Sequence, residues 1–366
     1  MRLRPVAVTI ASLLAFSAFA VACGGDDDDD SASSDTTASG SSSGGDCVVG
    51  VSWNNYQEER WAKFDEPAIK KAVEDGGGTY VSNDAKSSAE TQASNVENLI
   101  SQGANVLIIL AQDGTAIKPS VSNALENGVP VIAYDRLIED PGALYLTFDN
   151  VEIGRLEAEE IFKVAPKGNY IIIKGNKADA NADFLRSGYD EVIKDAVDSG
   201  DIKIVGETYT DNWDPAKAQT ETEQFLTAAN NDVQAVLSEN DGMAGGVVAA
   251  LEAQGLAGKV PVSGQDGDQA ALNRVALGTQ TVSVYKDART LGKTAGDAAI
   301  QLCKDKDLTK VEGTAQFDSP EGNSLTSILL TPEAVTKDNL NVPIDAGWTT
   351  TENVCKGVEP GSVSVC

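Results

Sequence analysis

An α/β fold of two similar lobes facing a common cleft is the class this sequence predicts, and three observations carry it. Short β-branched apolar runs alternate with amphipathic segments from residue 47 to residue 330, the pattern of successive βαβ units. Two of these runs end in an aspartate: GVPVIAYDR at 128–136 and, 131 positions later, VPVSGQD at 260–266. VLIILAQDG at 106–114 has its counterpart in VQAVLSENDG at 233–242, so the chain repeats a lobe. The run at 129–133 reads as a strand buried on both faces of a parallel sheet. Asp135 and Arg136 then lie just past its carboxyl end, where open α/β sheets receive ligands. A structural ion pair capping the sheet is the alternative. The second copy, with Asp266 in the place of Asp135, favours a cleft lined from both sides.

In order, a strand at 47–53 leads to a helix over about 58–74 carrying Trp61, Phe64, Ile69 and Val73, stopped by the glycines at 76–78. A strand at 79–83, a helix at 89–101, a strand at 106–111 and a helix at 115–126 precede the 129–133 strand. A strand at 144–148 and a helix at 151–164 follow, and the alternation restarts at 170–174. The second series has helices at 184–198, 215–229, 242–254 and 269–277 and strands at 202–209, 233–237 and 260–264. Right-handed crossovers make each series a doubly wound sheet. A strand at 281–285, a helix ending near Cys303 and a strand at 325–330 form no βαβ set of their own, so they belong to the existing lobes. The division expected is 47–150 plus about 282–318 for the first lobe and 151–281 plus about 319–366 for the second.

Composition narrows the function. At 366 residues and 41% hydrophobic content there is enough chain for two cores. A formal charge of −28 argues against nucleic acid or an anionic membrane surface as partner. There is no histidine, which rules out a Ser-His-Asp or Cys-His enzyme and removes the commonest transition-metal ligand. Arg2 and Arg4 ahead of an apolar run at 6–21 mark residues 1–22 as a secretory signal. Ala20-Val21-Ala22-Cys23 resembles the processing box of bacterial lipoproteins, in which the cysteine is acylated; ordinary cleavage near Ala22 is the alternative. Residues 23–46 are small and polar, with aspartates throughout 26–30, and read as a lipid-anchored, acidic, disordered tether. Cys47, Cys303, Cys355 and Cys366 allow three disulfide pairings in an exported protein, and the local pair Cys355–Cys366 with Cys47–Cys303 is favoured.

Two motif matches are discounted. LGKT at 291–294 has the tail of a phosphate loop, but Asp287 stands where its first glycine belongs. Asp266-Gly267-Asp268 begins like a calcium loop, yet the sixth position lacks glycine and Leu277 occupies the twelfth. No metal or cofactor is expected.

VSWNNYQEERW at 51–61, AYDR at 133–136, TFDN at 147–150, LTAANNDVQAVLSENDGMAGG at 226–246, GQDGD at 264–268 and GTQTVSVYK at 278–286 closely resemble the periplasmic D-xylose-binding proteins, which are type I sugar-binding proteins of ABC importers. The resemblance covers about residues 47–345. It implies two Rossmann-like lobes of the periplasmic-binding-protein type I fold, joined by three crossing strands and closing on one sugar. Motif by motif it implies ligand-binding roles for Arg60 and Trp61, Asp135 and Arg136, Asn181, Trp213, Asn240, Asp266 and Lys286. These types suit a pyranose, whose C–H faces stack on an aromatic while its hydroxyls both donate and accept. Structural alternatives are a core role for Trp61, a surface charge for Arg60 and a solvated strand end for Lys286. Asp135 has Arg136 beside it as a donor, whereas Asp266 has no such neighbour. Gln112–Asp113 depart from the Asn-Gly turn often found in the wider family, and no contact is assigned there.

The function implied is an extracytoplasmic, Cys23-anchored monomer that hands D-xylose to a membrane permease. A sugar-sensing ectodomain, or a receptor for another aldose, is the alternative. An enzyme using Asp135 and Asp266 as a glycosidase couple is disfavoured, because closing on a monosaccharide leaves no room for a leaving group.

Overall fold

The computed structural model describes residues 47–366; the signal segment, Cys23 and the tether lie outside the described residues. The first lobe begins with β1 (Val48–Trp53), α1 (Glu66–Asp75), β2 (Thr79–Asp84), α2 (Ala89–Ser101), β3 (Val106–Ile109), α3 (Lys118–Glu126), β4 (Val131–Tyr134) and β5 (Ala143–Phe148). The second continues with α4 (Asn150–Val164), β6 (Gly168–Lys174), α5 (Asn181–Asp198), β7 (Ile202–Tyr209), α6 (Pro215–Ala228), β8 (Ala235–Ser238), α7 (Asp241–Ala253), β9 (Gln265–Asp266), α8 (Gln269–Leu277) and β10 (Ser283–Tyr285). Then come α9 (Ala288–Lys304), β11 (Ala315–Asp318), β12 (Ser324–Leu330) and β13 (Glu333–Val335).

The first sheet runs β11-β12-β5-β4-β3-β1-β2, parallel except for β11. The second is β7-β6-β8, continued through a Val236–Val262 bridge to β9-β10-β13, with only β13 antiparallel. Every residue of β3 and β4 is buried, as strands covered by helices on both faces require. Helices α4 and α5 approach so closely that a side chain at Gly154 or Gly188 would place its Cβ 2.1 Å from a carbonyl oxygen, of Leu185 or Val151 respectively.

The late elements correct the expected division. Strand β10, placed with the first lobe at about 282–318, sits in the second sheet beside β9. Strand β12, placed with the second lobe at about 319–366, pairs parallel with β5 of the first sheet, and its Leu325 is buried against Tyr145 and Phe317. Two hydrogen-bonding edges, rather than βαβ continuity, decide where these strands go. The chain therefore crosses between lobes three times, near 149, 286 and 331. The helix expected over 58–74 is also interrupted: residues Trp61–Asp65 form one π-helical turn, in which the Glu66 N–H donates to the Trp61 carbonyl, before α1 begins.

Disulfides join Cys47 to Cys303 and Cys355 to Cys366, the favoured pairing. The first ties the start of β1 to the last turn of α9 across 256 residues of chain; the second closes only 11. In the chain-entropy limit these loops correspond to about 5.5 and about 3 kcal/mol respectively. Replacing Cys47 and Cys303 by alanine should therefore lower the melting midpoint more than replacing Cys355 and Cys366. Calorimetry of the two double variants checks the order, and equal losses would refute it.

Candidate functional site

The π-helical turn places Arg60 at the centre of the cleft, where it is 1% exposed. Its Nε and Nη2 donate to the two oxygens of Asp65 at 3.0 and 2.7 Å, a fork-to-fork pair. Its Nη1 lies 3.1 Å from Asp135 of the first lobe and 3.4 Å from Asp266 of the second. The guanidinium lies 4.3 Å from the centre of the Trp61 ring. Tyr134 donates its hydroxyl to Asp65 Oδ1 at 2.5 Å, which fixes that carboxylate from β4.

Arg136 turns away from Asp135, whose backbone has left the extended region. It donates to the Ala111 carbonyl at 3.2 Å and to Glu58 at 3.3 Å, and its Nε stands 2.9 Å from Asp179 without an aligned hydrogen bond. Asp135 has φ 62°, and its carbonyl accepts from Thr147 and from Asn181 of the second lobe. Asn181 in turn accepts from Asn150 at 3.0 Å. Trp213 donates its indole N–H to Asp179 at 3.2 Å, and its ring lies where Gly175 has no side chain: a Cβ there would be 2.1 Å away. Asn240 caps α7 through its carbonyl, so its amide N–H groups are what it can offer the cleft. Lys286 pairs with Asp266 at 2.8 Å.

All nine residues expected at the site line one cleft. Each comes from a strand's carboxyl end or the segment after it, the position that open α/β sheets reserve for ligands. Arg60 is not a surface charge and Lys286, 4% exposed, is not a solvated strand end. Trp61 belongs both to the core and to the cleft wall. Two pairings differ from expectation: Arg60 rather than Arg136 attends Asp135, and Asp266 has two basic neighbours, Lys286 and Arg60. Three lining residues escaped the sequence reading: Glu58, Asp179 and Gln265. Glu58 and Gln265 lie inside motifs quoted above, two positions before Arg60 and one before Asp266, and Asp179 stands two before Asn181. Among the described residues no acidic or cysteine cluster is arranged to hold a metal ion.

Burial opposes ionisation of these carboxyls, and the cations decide which yield. For Asp135 the burial effect is outweighed by Arg60, Lys286 and Arg136, which hold its carboxyl below the usual range. For Glu58 and Asp179 burial wins over Arg136, so both are raised. Asp65 is pushed up to about 6 by burial despite Arg60. Arg60 is held well above its ordinary value, because Asp65 and Asp135 more than offset its own burial. Behind the cleft, Asp241 accepts from the Gly267 and Asp268 backbone, Gln280 and Ser283, yet burial still raises it to about 7.

These shifts fix a sign. A carboxyl raised on folding binds its proton more tightly in the native state, so its stabilising contribution is complete below its unfolded pKa and is lost as pH rises through the folded value. For Asp65 and Asp241 the window is about pH 4 to 7. The lowered groups, such as Asp135, act below pH 4 instead. Ligand-free protein should therefore unfold at lower denaturant concentration at pH 7.5 than at pH 5, with Asp241→Asn flattening the dependence. A midpoint that climbs between pH 5 and 7.5 would contradict this.

The sequence matches the family model described as periplasmic binding protein domain over residues 49–307. The chain is 39% identical to the D-xylose-binding periplasmic protein of Escherichia coli over 296 residues, which are 80% of this chain and 87% of that one. The protein of the same name from Haemophilus influenzae is 38% identical over 311 residues, 84% and 92% of the two chains. Among solved structures, an ABC transporter solute-binding protein from Clostridium phytofermentans with bound β-D-glucose superposes with a TM-score of 0.76 at 29% identity, covering 84% of this chain and 99% of that one. All three are named as binding proteins, not as enzymes. Its two lobes, its three crossings and its match over residues 49–307 place it in the periplasmic binding protein family.

Proposed function

We propose that this chain binds one monosaccharide, D-xylose, between its lobes and delivers it to the permease of an ABC importer, held at the membrane by an acylated Cys23. The observation that carries this reading is the make-up of the cleft: two indoles, Trp61 and Trp213, with Asp135, Arg136, Asp266 and Lys286 supplied by both lobes. Indole faces match the C–H faces of a pyranose, and fixed acceptors and donors match hydroxyls that do both. The relatives named for D-xylose favour the pentose. The glucose-bound structural neighbour favours a hexose as the second reading.

Asp266 is the residue to change. Alanine would strand Lys286 and Arg60 in a buried site, at a cost of about 3–5 kcal/mol in stability. Asp266→Asn keeps the shape and removes the charge. A hydrogen bond to a charged group contributes about 1.5–3 kcal/mol, so this variant should bind D-xylose roughly ten- to a hundredfold more weakly by calorimetric titration. D-glucose titrated into wild type in parallel separates the two readings by affinity, and Asp266→Asn binding as tightly as wild type would remove the residue from the site. For the anchor, Cys23→Ser should release the protein into the medium or leave it unprocessed; freely secreted wild type would end the lipoprotein reading.

A further inference from the structure

The segment presenting Trp213 contains two consecutive residues in the left-handed backbone region, Asn212 at φ 60° and Trp213 at φ 55°. Asparagine tolerates this conformation; a bulky aromatic adopts it only when its surroundings impose it. Three constraints come from the second lobe itself. The Trp213 N–H donates to the Thr210 carbonyl at 3.1 Å, the Thr210 N–H donates to the Lys174 carbonyl at 2.8 Å, and the indole fills the space above Gly175. A fourth comes from the other lobe: Gln112 Nε2 donates to Asn212 Oδ1 at 2.9 Å.

Gln112 is itself held. It follows β3, and its backbone N–H donates at 2.7 Å to Gln92, a fully buried side chain of α2 whose amide donates to the Leu110 carbonyl at 2.8 Å. The side chain that reaches across thus stands on a fixed base. At the same lip the Gly114 N–H meets the Ala178 carbonyl at 3.3 Å, so the lobes touch directly there. Neither Gln112 nor Asn212 lines the cleft.

We infer that the Gln112–Asn212 bond is a latch between the lobes, with Gln112 a positioning residue that holds the closed form and, through Asn212, keeps Trp213 in its left-handed pose against the ligand. The inference rests on the monosaccharide reading above. A bond that joins the two lobes can form only once they have approached, so it acts on release and not on capture. Loss of one neutral hydrogen bond corresponds to a change of about 2- to 10-fold.

The experiment is stopped-flow tryptophan fluorescence on the full chain, with D-xylose and D-glucose as the two probes. Wild type is compared with Gln112→Ala, Asn212→Ala and the double variant. Each single variant should release sugar about 2- to 10-fold faster with association unchanged, and the double variant should be no faster than the singles, because both remove the same bond. Gln112→Ala lies outside the left-handed segment and should leave ligand-free melting unaltered, which separates the latch from a folding defect. Release at the wild-type rate in Gln112→Ala, or effects of the two substitutions that multiply, would overturn the latch while leaving the binding reading intact. A wild type that takes up neither sugar would overturn the binding reading and the latch with it.

Discussion

A single buried guanidinium sets the terms for this molecule. Arg60 has almost no contact with solvent, and an isolated charge in that position would cost many kcal/mol, so its surroundings must supply carboxylates at hydrogen-bonding distance. Asp65 meets it with both oxygens, and Asp135 and Asp266 share the remaining nitrogen. Of these, Asp65 comes from the π-helical turn, Asp135 from the end of β4 and Asp266 from the other lobe. The arrangement explains why the turn is π-helical. An ordinary helical turn would rotate Asp65 relative to Arg60 by one residue's worth, about 100°, and the forked pair within five residues would be lost. The same turn sends Trp61 into the cleft wall, so one local irregularity positions a charge and an aromatic together.

Because the guanidinium draws on both lobes, neither lobe holds a complete site. The first supplies Arg60, Arg136 and Asp135; the second supplies Asp179, Trp213, Asp266 and Lys286. Direct contacts across the cleft are ion pairs, Arg60 to Asp266 and Arg136 to Asp179, and amide hydrogen bonds, Asn181 to the Asp135 carbonyl and Gln112 to Asn212. Parting the lobes would expose all of these to water at once, so the desolvation they cost and the pairing they gain both depend on the lobes standing together.

Much of this was legible in the sequence. The β-branched runs at 129–133 and 106–111 are buried strands because their composition permits little else, and the repeat at 260–266 required a second sheet of the same construction. Six of the nine candidate site residues were legible only through motif resemblance; the strand pattern itself identified Asp135, Arg136 and Asp266. Partnerships were not legible. Arg136 follows Asp135 in the chain, but the backbone at Asp135 has φ 62° and the two side chains separate, so adjacency in sequence predicted the wrong ion pair. Asp266 looked unaccompanied because its partners lie 206 residues upstream and 20 downstream. The placement of β10 and β12 was hidden for the same reason: both are decided by which edge strand offers unpaired backbone groups, a property of the folded sheet.

The charge balance of the cleft bears on what it can hold. Glu58, Asp65, Asp135, Asp179 and Asp266 outnumber Arg60, Arg136 and Lys286, an excess that invites the idea of a cationic ligand. The distribution argues otherwise. Asp65 is committed to Arg60 and Tyr134, while Glu58 and Asp179 both face Arg136. What remains is Asp135 held ionised by Arg60, Lys286 and Arg136, together with Asp266 between Arg60 and Lys286. A cation entering this site would have to displace one already there, and an anion would meet carboxylates on every side. A neutral polyol does neither. Each hydroxyl can donate to a carboxylate and accept from the guanidinium or ammonium beside it, leaving the ion pairs whole. The cleft therefore disfavours charge of either sign, and the indoles of Trp61 and Trp213 add the apolar walls that ring C–H groups require.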